Sequence, residues 1–239
     1  MPVAEQLLLN LRPRTDARLS DFAAPVHALL LAALDAVPAQ SGSLLYLHGE
    51  PGSGRSHLLS ALCAASEAAG LRAVLLPMTE LRDEDPALLS GLEDQGLIAF
   101  DDIDAIAGRP AWEEALFHLF NRARSLGARL VFAARLAPAH SGFRLPDLVS
   151  RLNMATVWEL ALPDDAGREA LLLAAASRRG LIMEPEVLRY LLLRGPRGSG
   201  RLLALLEELD RRSLMAARRL TIPFVRPLLE PVEAGRAGF

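Results

Sequence analysis

The chain holds 239 residues, 51% of them apolar, with 29 acidic side chains against 26 basic ones, and every basic residue is arginine. That length suits one large or two small domains with a real core, and a net charge of −3 gives no basis for nucleic-acid binding through bulk charge. With no lysine present, chemistry usually done by an ammonium group must be done by a guanidinium or not at all.

The charge is unevenly spread. Residues 1–120 carry 7 arginines and 17 acids, residues 121–239 carry 19 arginines and 12 acids. Such asymmetry fits either a surface that faces anions or an acidic partner, or helices whose solvated faces happen to be arginine-rich. The arginines at 211, 212, 218 and 219 fall partly on one helix face and carry no assigned role. A single cysteine, Cys63, reads as a small core residue in a reducing compartment. No secretory signal and no apolar run of 18 residues is visible, so the expectation is a soluble cytoplasmic protein without a membrane role.

Few aromatics and abundant Leu and Ala point to helices around a modest sheet. Five short apolar runs read in chain order as strands buried on both faces: 43–48, 72–77, 97–101, 129–134 and 156–160. Helix-length segments at 56–70, 80–93 and 111–126 lie between them, the alternation expected of βαβ crossovers. After Pro163 the strand signals stop, and helices are expected over 164–179, 184–193, about 200–217 and 223–229. The boundaries that follow are an N-terminal tail over 1–20, an α/β domain over 21–162, a helical domain over 163–230 and a frayed tail over 231–239.

The first strand runs directly into Gly49-Glu-Pro51-Gly52-Ser53-Gly54-Arg55-Ser56-His57, the spacing of a Walker A loop with arginine at the lysine position. Glycines let backbone N–H groups turn toward phosphates, the following helix offers its positive end, and Ser56 can ligate Mg²⁺. Arg55 keeps the charge, yet a guanidinium is wider than an ammonium, so nucleotide binding should survive better than turnover. His57 can face nucleotide or simply pack beside the loop. The third strand closes with Phe100-Asp101-Asp102, the Walker B pattern: Asp101 would hold Mg²⁺, and Asp102 would stand where a water-activating residue belongs. The other histidines, 27, 48, 118 and 140, have no metal-ligand spacing, and Ser141 with Asp147 lacks the setting of a hydrolase nucleophile. Trp112 and Trp158 read as core or interface aromatics.

These stretches, with Phe100-Asp-Asp-Ile-Asp-Ala-Ile-Ala-Gly108, Leu145-Pro-Asp-Leu-Val-Ser-Arg-Leu152 and Leu220-Thr-Ile-Pro-Phe-Val225, resemble the AAA+ ATPases of the DnaA group and within it the DnaA regulatory inactivator family, Hda. The likeness runs over nearly the whole chain. It implies a AAA+ P-loop three-layer α/β domain with a five-stranded parallel sheet and a C-terminal all-helical lid, binding ADP or ATP with Mg²⁺. It makes Arg151 an arginine finger acting in trans, against the plainer reading of a salt-bridged residue at a helix end. It places the sensor 2 arginine at Arg201, with Arg197 as the alternative, and it finds Ala134-Arg135 where the group's polar sensor 1 residue would stand. Weak or absent intrinsic ATPase activity follows from that departure and from Arg55.

The N-terminal Gln6-Leu7-Leu8-Leu9-Asn10-Leu11 resembles the hexapeptide with which bacterial replication proteins bind the sliding clamp of DNA polymerase III. Gln6 would hydrogen-bond at the rim while Leu9 and Leu11 fill apolar clefts, with Leu7 counted beside them among the clamp-binding residues. The function implied is regulatory. Nucleotide-bound and held on the beta clamp, the protein would stimulate hydrolysis of DnaA-bound ATP, touching DNA only through the clamp at the replisome, and a homodimer is admitted. The alternative is a DNA-binding P-loop ATPase such as a truncated initiator or a helicase-loader-like protein.

Overall fold

The structure, a computed structural model, describes residues 17–22, 27–216 and 218–229. The clamp-like segment with Gln6, Leu7, Leu9 and Leu11 lies outside the described residues, as does the tail after Leu229. The chain divides into two compact units between Leu162 and Pro163.

The first unit contains α1 (Ala28–Ala36), β1 (Leu44–Gly49), α2 (Arg55–Ala68), β2 (Ala73–Pro77), the single-turn α3 (Met78–Leu81), β3 (Leu97–Asp101), α4 (Pro110–Ser125), β4 (Arg129–Ala134), α5 (Pro146–Leu152) and β5 (Thr156–Leu160). The strands form one parallel sheet in the order β2-β3-β4-β1-β5. Side chains alternate across it. Leu45, Leu47, Leu97, Ala99, Val131, Ala133 and Leu160 meet α1 and α2 on one face. Tyr46, Ile98, Phe100, Leu130 and Phe132 meet Trp112, Leu116, Leu119 and Phe120 of α4 and Leu148 and Leu152 of α5 on the other. An aromatic stack fills that second layer, with Phe132 centred 5.0 Å from Phe100 and 6.3 Å from Phe120. The result is the three-layer α/β domain expected of a continuous apolar strand set.

One expected helix is not there. Over 80–93 the chain makes only the turn of α3 and a 3₁₀ turn at Pro86–Leu89. Pro86 drives Asp85 to extended backbone (φ −73°, ψ 124°), and the Asp85 carboxylate accepts the Ala87 N–H at 2.8 Å, so the sequence caps a new turn rather than continuing a helix.

The second unit contains α6 (Asp165–Arg178), α7 (Pro185–Arg194), α8 (Ser199–Ala216) and α9 (Ile222–Leu229). Asp164 caps α6 by accepting the Gly167 N–H at 2.7 Å, Gly180 stops it at φ +67°, and Pro185 opens α7. Leu171, Leu172, Val187, Leu188, Leu191, Leu202, Leu203, Leu206, Leu209 and Val225 build its own core. Each leucine fully buried there contributes on the order of 2 kcal/mol.

Candidate nucleotide site and finger helix

β1 lies between β4 and the edge strand β5, and the chain leaves it toward β2 on the far side of β4 and β3. Ligands of open parallel sheets bind at the carboxyl ends of strands where the winding changes direction. The loop Gly49–Gly54 lies there. Gly49 pairs with Leu160, and a Cβ on it would overlap the Leu160 carbonyl oxygen. Gly52 and Gly54 take φ of +92° and +103°, and the space beside Gly54 is filled by the Phe22 ring. Gly54 is also the N-cap of α2, and no side chain caps that helix, so its leading N–H groups face the loop.

Two buried polar atoms of the loop have no hydrogen-bond partner among the described residues: the Ser53 hydroxyl and Arg55 Nη1. Orphaned donors at a helix N-terminus fit phosphate oxygens, which would satisfy them and add charge complementarity. The Arg55 side chain is 8% exposed, and its other nitrogen, Nη2, donates to Asp102 Oδ1 at 2.9 Å. The walls of the loop are thus Arg55 and the two acids at the end of β3. Asp102 turns toward Arg55 through left-handed backbone (φ 48°, ψ 49°), a conformation aspartate tolerates better than most side chains. Asp101 is buried, and that burial pushes its carboxyl above the usual carboxylate range, opposed by a hydrogen bond from Ser56. Asp101 also accepts the Asp102 N–H at 3.1 Å. Ser56 and Asp101 would be the protein ligands of a Mg²⁺ held together with a nucleotide.

His57 is buried beside the loop, not open to it. Its ring lies 6.3 Å from Phe22 and its Nε2 is 3.3 Å from the Arg18 carbonyl oxygen, which makes it a packing residue of the segment that covers the start of α2. Pro51 is exposed at the tip of the loop. Tyr46, under the site, donates to the Leu136 carbonyl at 3.1 Å, and burial followed by the charge of Asp104 pushes its phenol up.

Arg151 stands exposed in the last turn of α5, and among the described residues its guanidinium meets only the Met154 thioether, at 3.9 Å. The salt-bridged reading of this residue therefore has no acid to support it. Arg201 lies exposed in the first turn of α8, and Arg197 precedes that helix; both belong to the second unit. Trp112 is a core residue whose indole N–H donates to the Arg82 carbonyl at 3.0 Å, and Cys63 is buried, its thiol pushed up to about 12 by burial. Glu113, which no residue pattern singles out, is 2% exposed and accepts three backbone N–H groups. A glutamate in the first turn of a helix is so common that no sequence signal distinguishes it. No helix among the described residues is long and apolar enough to cross a membrane.

Residues 164–229 match the family described as Hda, lid domain. The fold is similar to domain III of the Thermotoga maritima replication initiation protein DnaA, at 20% identity and a TM-score of 0.72, covering 90% of this chain and 98% of that one. It is also similar to AMPPCP-bound DnaA from Aquifex aeolicus (20% identity, TM-score 0.67, 85% and 68% covered) and to Thermotoga maritima RuvB (18%, 0.60, 91% and 71%). With its five-stranded parallel sheet and a glycine loop at the carboxyl end of β1, the chain shares the fold of DnaA domain III, and its second unit is of the Hda lid type.

Proposed function

We propose that the protein is a regulatory inactivator of DnaA: it binds ADP or ATP with Mg²⁺ in its own loop and presents Arg151 to ATP held by DnaA, so that hydrolysis there prevents renewed initiation of replication. The observation that carries this reading is the match of the second unit to the Hda lid, joined to an arginine on α5 that is exposed and, among the described residues, meets no acid. A guanidinium presented in trans neutralises charge that develops on a γ-phosphoryl group as it departs. The bound nucleotide of the Aquifex aeolicus relative supports a nucleotide in this chain's loop, and the orphaned Ser53 hydroxyl and Arg55 Nη1 are the donors that would meet its phosphates.

The chain's own ATPase activity is weak in this reading. Arg55 is held by Asp102, the residue placed to activate a water, so each is engaged with the other and neither is free to serve the nucleotide alone. When bound, Mg²⁺ neutralises phosphate charge. Ser56 and Asp101 would hold it, and the leading N–H groups of α2 would meet the phosphates. Gln6, Leu7, Leu9 and Leu11 tether the protein to the beta sliding clamp of DNA polymerase III, which brings it to DNA without direct DNA contact.

Turnover of DnaA-bound ATP with clamp loaded on DNA tests the proposal. The parent stimulates, Arg151→Ala loses the stimulation while still binding ADP, and replacing Gln6, Leu9 and Leu11 by Ala abolishes clamp capture. Full stimulation by Arg151→Ala refutes the finger. Salt-dependent DNA binding in the absence of clamp would instead favour a DNA-binding ATPase.

A further inference from the structure

Glu113 is a buried carboxylate that the nucleotide site does not use, and it makes no ion pair among the described residues. It lies in the first turn of α4. Its Oε1 accepts the Gly108 N–H at 2.6 Å, and its Oε2 accepts the N–H groups of Arg144 at 2.9 Å and Leu145 at 2.7 Å. A carboxylate buried at 2% exposure persists only where its oxygens are well satisfied, and three backbone donors do that here.

What those donors belong to gives the arrangement its meaning. Gly108, at φ +78°, ends the segment that leaves Asp101 and Asp102 through the 3₁₀ turn Ile103–Ile106. Arg144 and Leu145 immediately precede Pro146, the first residue of α5, and Leu145 as N-cap supplies no side-chain cap of its own. Glu113 therefore joins the strand end that carries the acids to the start of the helix that carries Arg151. α5 spans only seven residues and buries Leu148 and Leu152 alone, so its direction depends on how its start is fastened. Arg151 lies six residues beyond Leu145, within two helical turns of the tether. A reacting group misplaced by about 1 Å loses on the order of 100-fold in rate.

We propose that Glu113 is the positioning residue for Arg151: its carboxylate fastens the start of α5 to the segment following Asp101 and Asp102 and so fixes where the finger is offered. This rests on the finger reading above. Glu113→Gln keeps the size and one acceptor oxygen but turns an amide N–H toward backbone donors, so one of the two attachments is lost. Glu113→Asp keeps the charge and both oxygens on a shorter stem.

The test is turnover of DnaA-bound ATP with loaded clamp, titrating each variant and counting only molecules that bind ADP, so that unfolded protein drops out of the comparison. Glu113→Gln is expected to lower the maximal stimulated rate at least tenfold while the half-saturating concentration stays within twofold, and Glu113→Asp to retain more of the rate than Glu113→Gln. An unchanged maximal rate with a raised half-saturating concentration overturns the proposal. If Glu113→Gln yields no ADP-binding protein, Glu113→Asp is judged by the same two quantities, and failure of both to fold assigns Glu113 to the fold and also overturns it. Loss of stimulation in Arg151→Ala with none in Glu113→Gln defeats this inference and leaves the finger standing; full stimulation by Arg151→Ala defeats the finger itself.

Discussion

Arg55 in the first unit and Arg168 in the second are both buried guanidinium groups, and among the described residues each leaves one nitrogen without a hydrogen-bond partner, yet their surroundings differ in kind. Arg168 is spent on the fold. Its Nη1 meets Asp165 at 2.9 Å and its Nη2 meets the carbonyl oxygens of Leu192 and Pro196 at 3.0 and 3.3 Å, so one side chain on α6 closes the end of α7 and the turn beyond it. Arg55 has one ionic partner, Asp102, which is 40% exposed, and the orphaned nitrogen lies within a glycine loop. A buried charge that satisfies backbone carbonyls holds structure together, while one left half-satisfied beside a loop is held ready for something else.

Substitution separates the two. Arg168→Met should lower stability by about 3 kcal/mol in urea unfolding followed by circular dichroism, because the Leu192 and Pro196 carbonyls lose their donor. Arg55→Met should stay within about 1 kcal/mol of the parent, since Asp102 can turn to water, but should weaken ADP binding at least tenfold by titration calorimetry. A large stability loss at Arg55, or none at Arg168, breaks the contrast.

The buried acid beside Arg55 sharpens it further. Because burial raises the Asp101 carboxyl in the folded state, the folded protein holds that proton more tightly than the unfolded chain does. The associated stability is complete below the ordinary carboxylate range and is lost as pH rises through the higher folded value. Asp101→Asn keeps an oxygen for Ser56 and for the Asp102 N–H and removes the buried charge, so at pH 7 it should raise Tm by ~2–4 °C and weaken the pH dependence of Tm above about pH 4. Mg²⁺-dependent nucleotide binding should fall in the same variant. The smallest effect belongs to the exposed trio on α8, where Glu208 meets Arg211 at 2.7 Å and Arg212 at 2.5 Å. Glu208→Ala should leave Tm unchanged within error, as exposed ion pairs usually do.

The five strands were legible because each is a short apolar run with turn residues on both sides, and three of them, at 97–101, 129–134 and 156–160, fall where the pattern alone places them. The segment over 80–93 misled because its composition suits a helix, while Asp85-Pro86 imposes a break that a count of apolar residues does not weigh. α5 is too short for periodicity and was visible only as a family-like stretch. The glycine loop and the acids of β3 could be placed at the carboxyl edge of the sheet from their spacing. The Arg55–Asp102 pair could not, since it joins residues 47 apart in sequence and depends on the left-handed turn at Asp102. Glu113 was invisible for a related reason: its partners are backbone groups, which carry no residue identity.

The position of β1 in the sheet has a consequence for synthesis. β1 hydrogen-bonds only to β4 and β5, never to the strand that follows it in the chain. Gly49 finds its neighbour at Leu160, so that side of the glycine loop stays unpaired until more than a hundred further residues have been made. Pairings this distant along the chain form slowly, and until then β1 is an apolar strand with two open edges. The growing polypeptide therefore passes through a stage in which most of the first unit has been made and β1 still lacks β5 on one side.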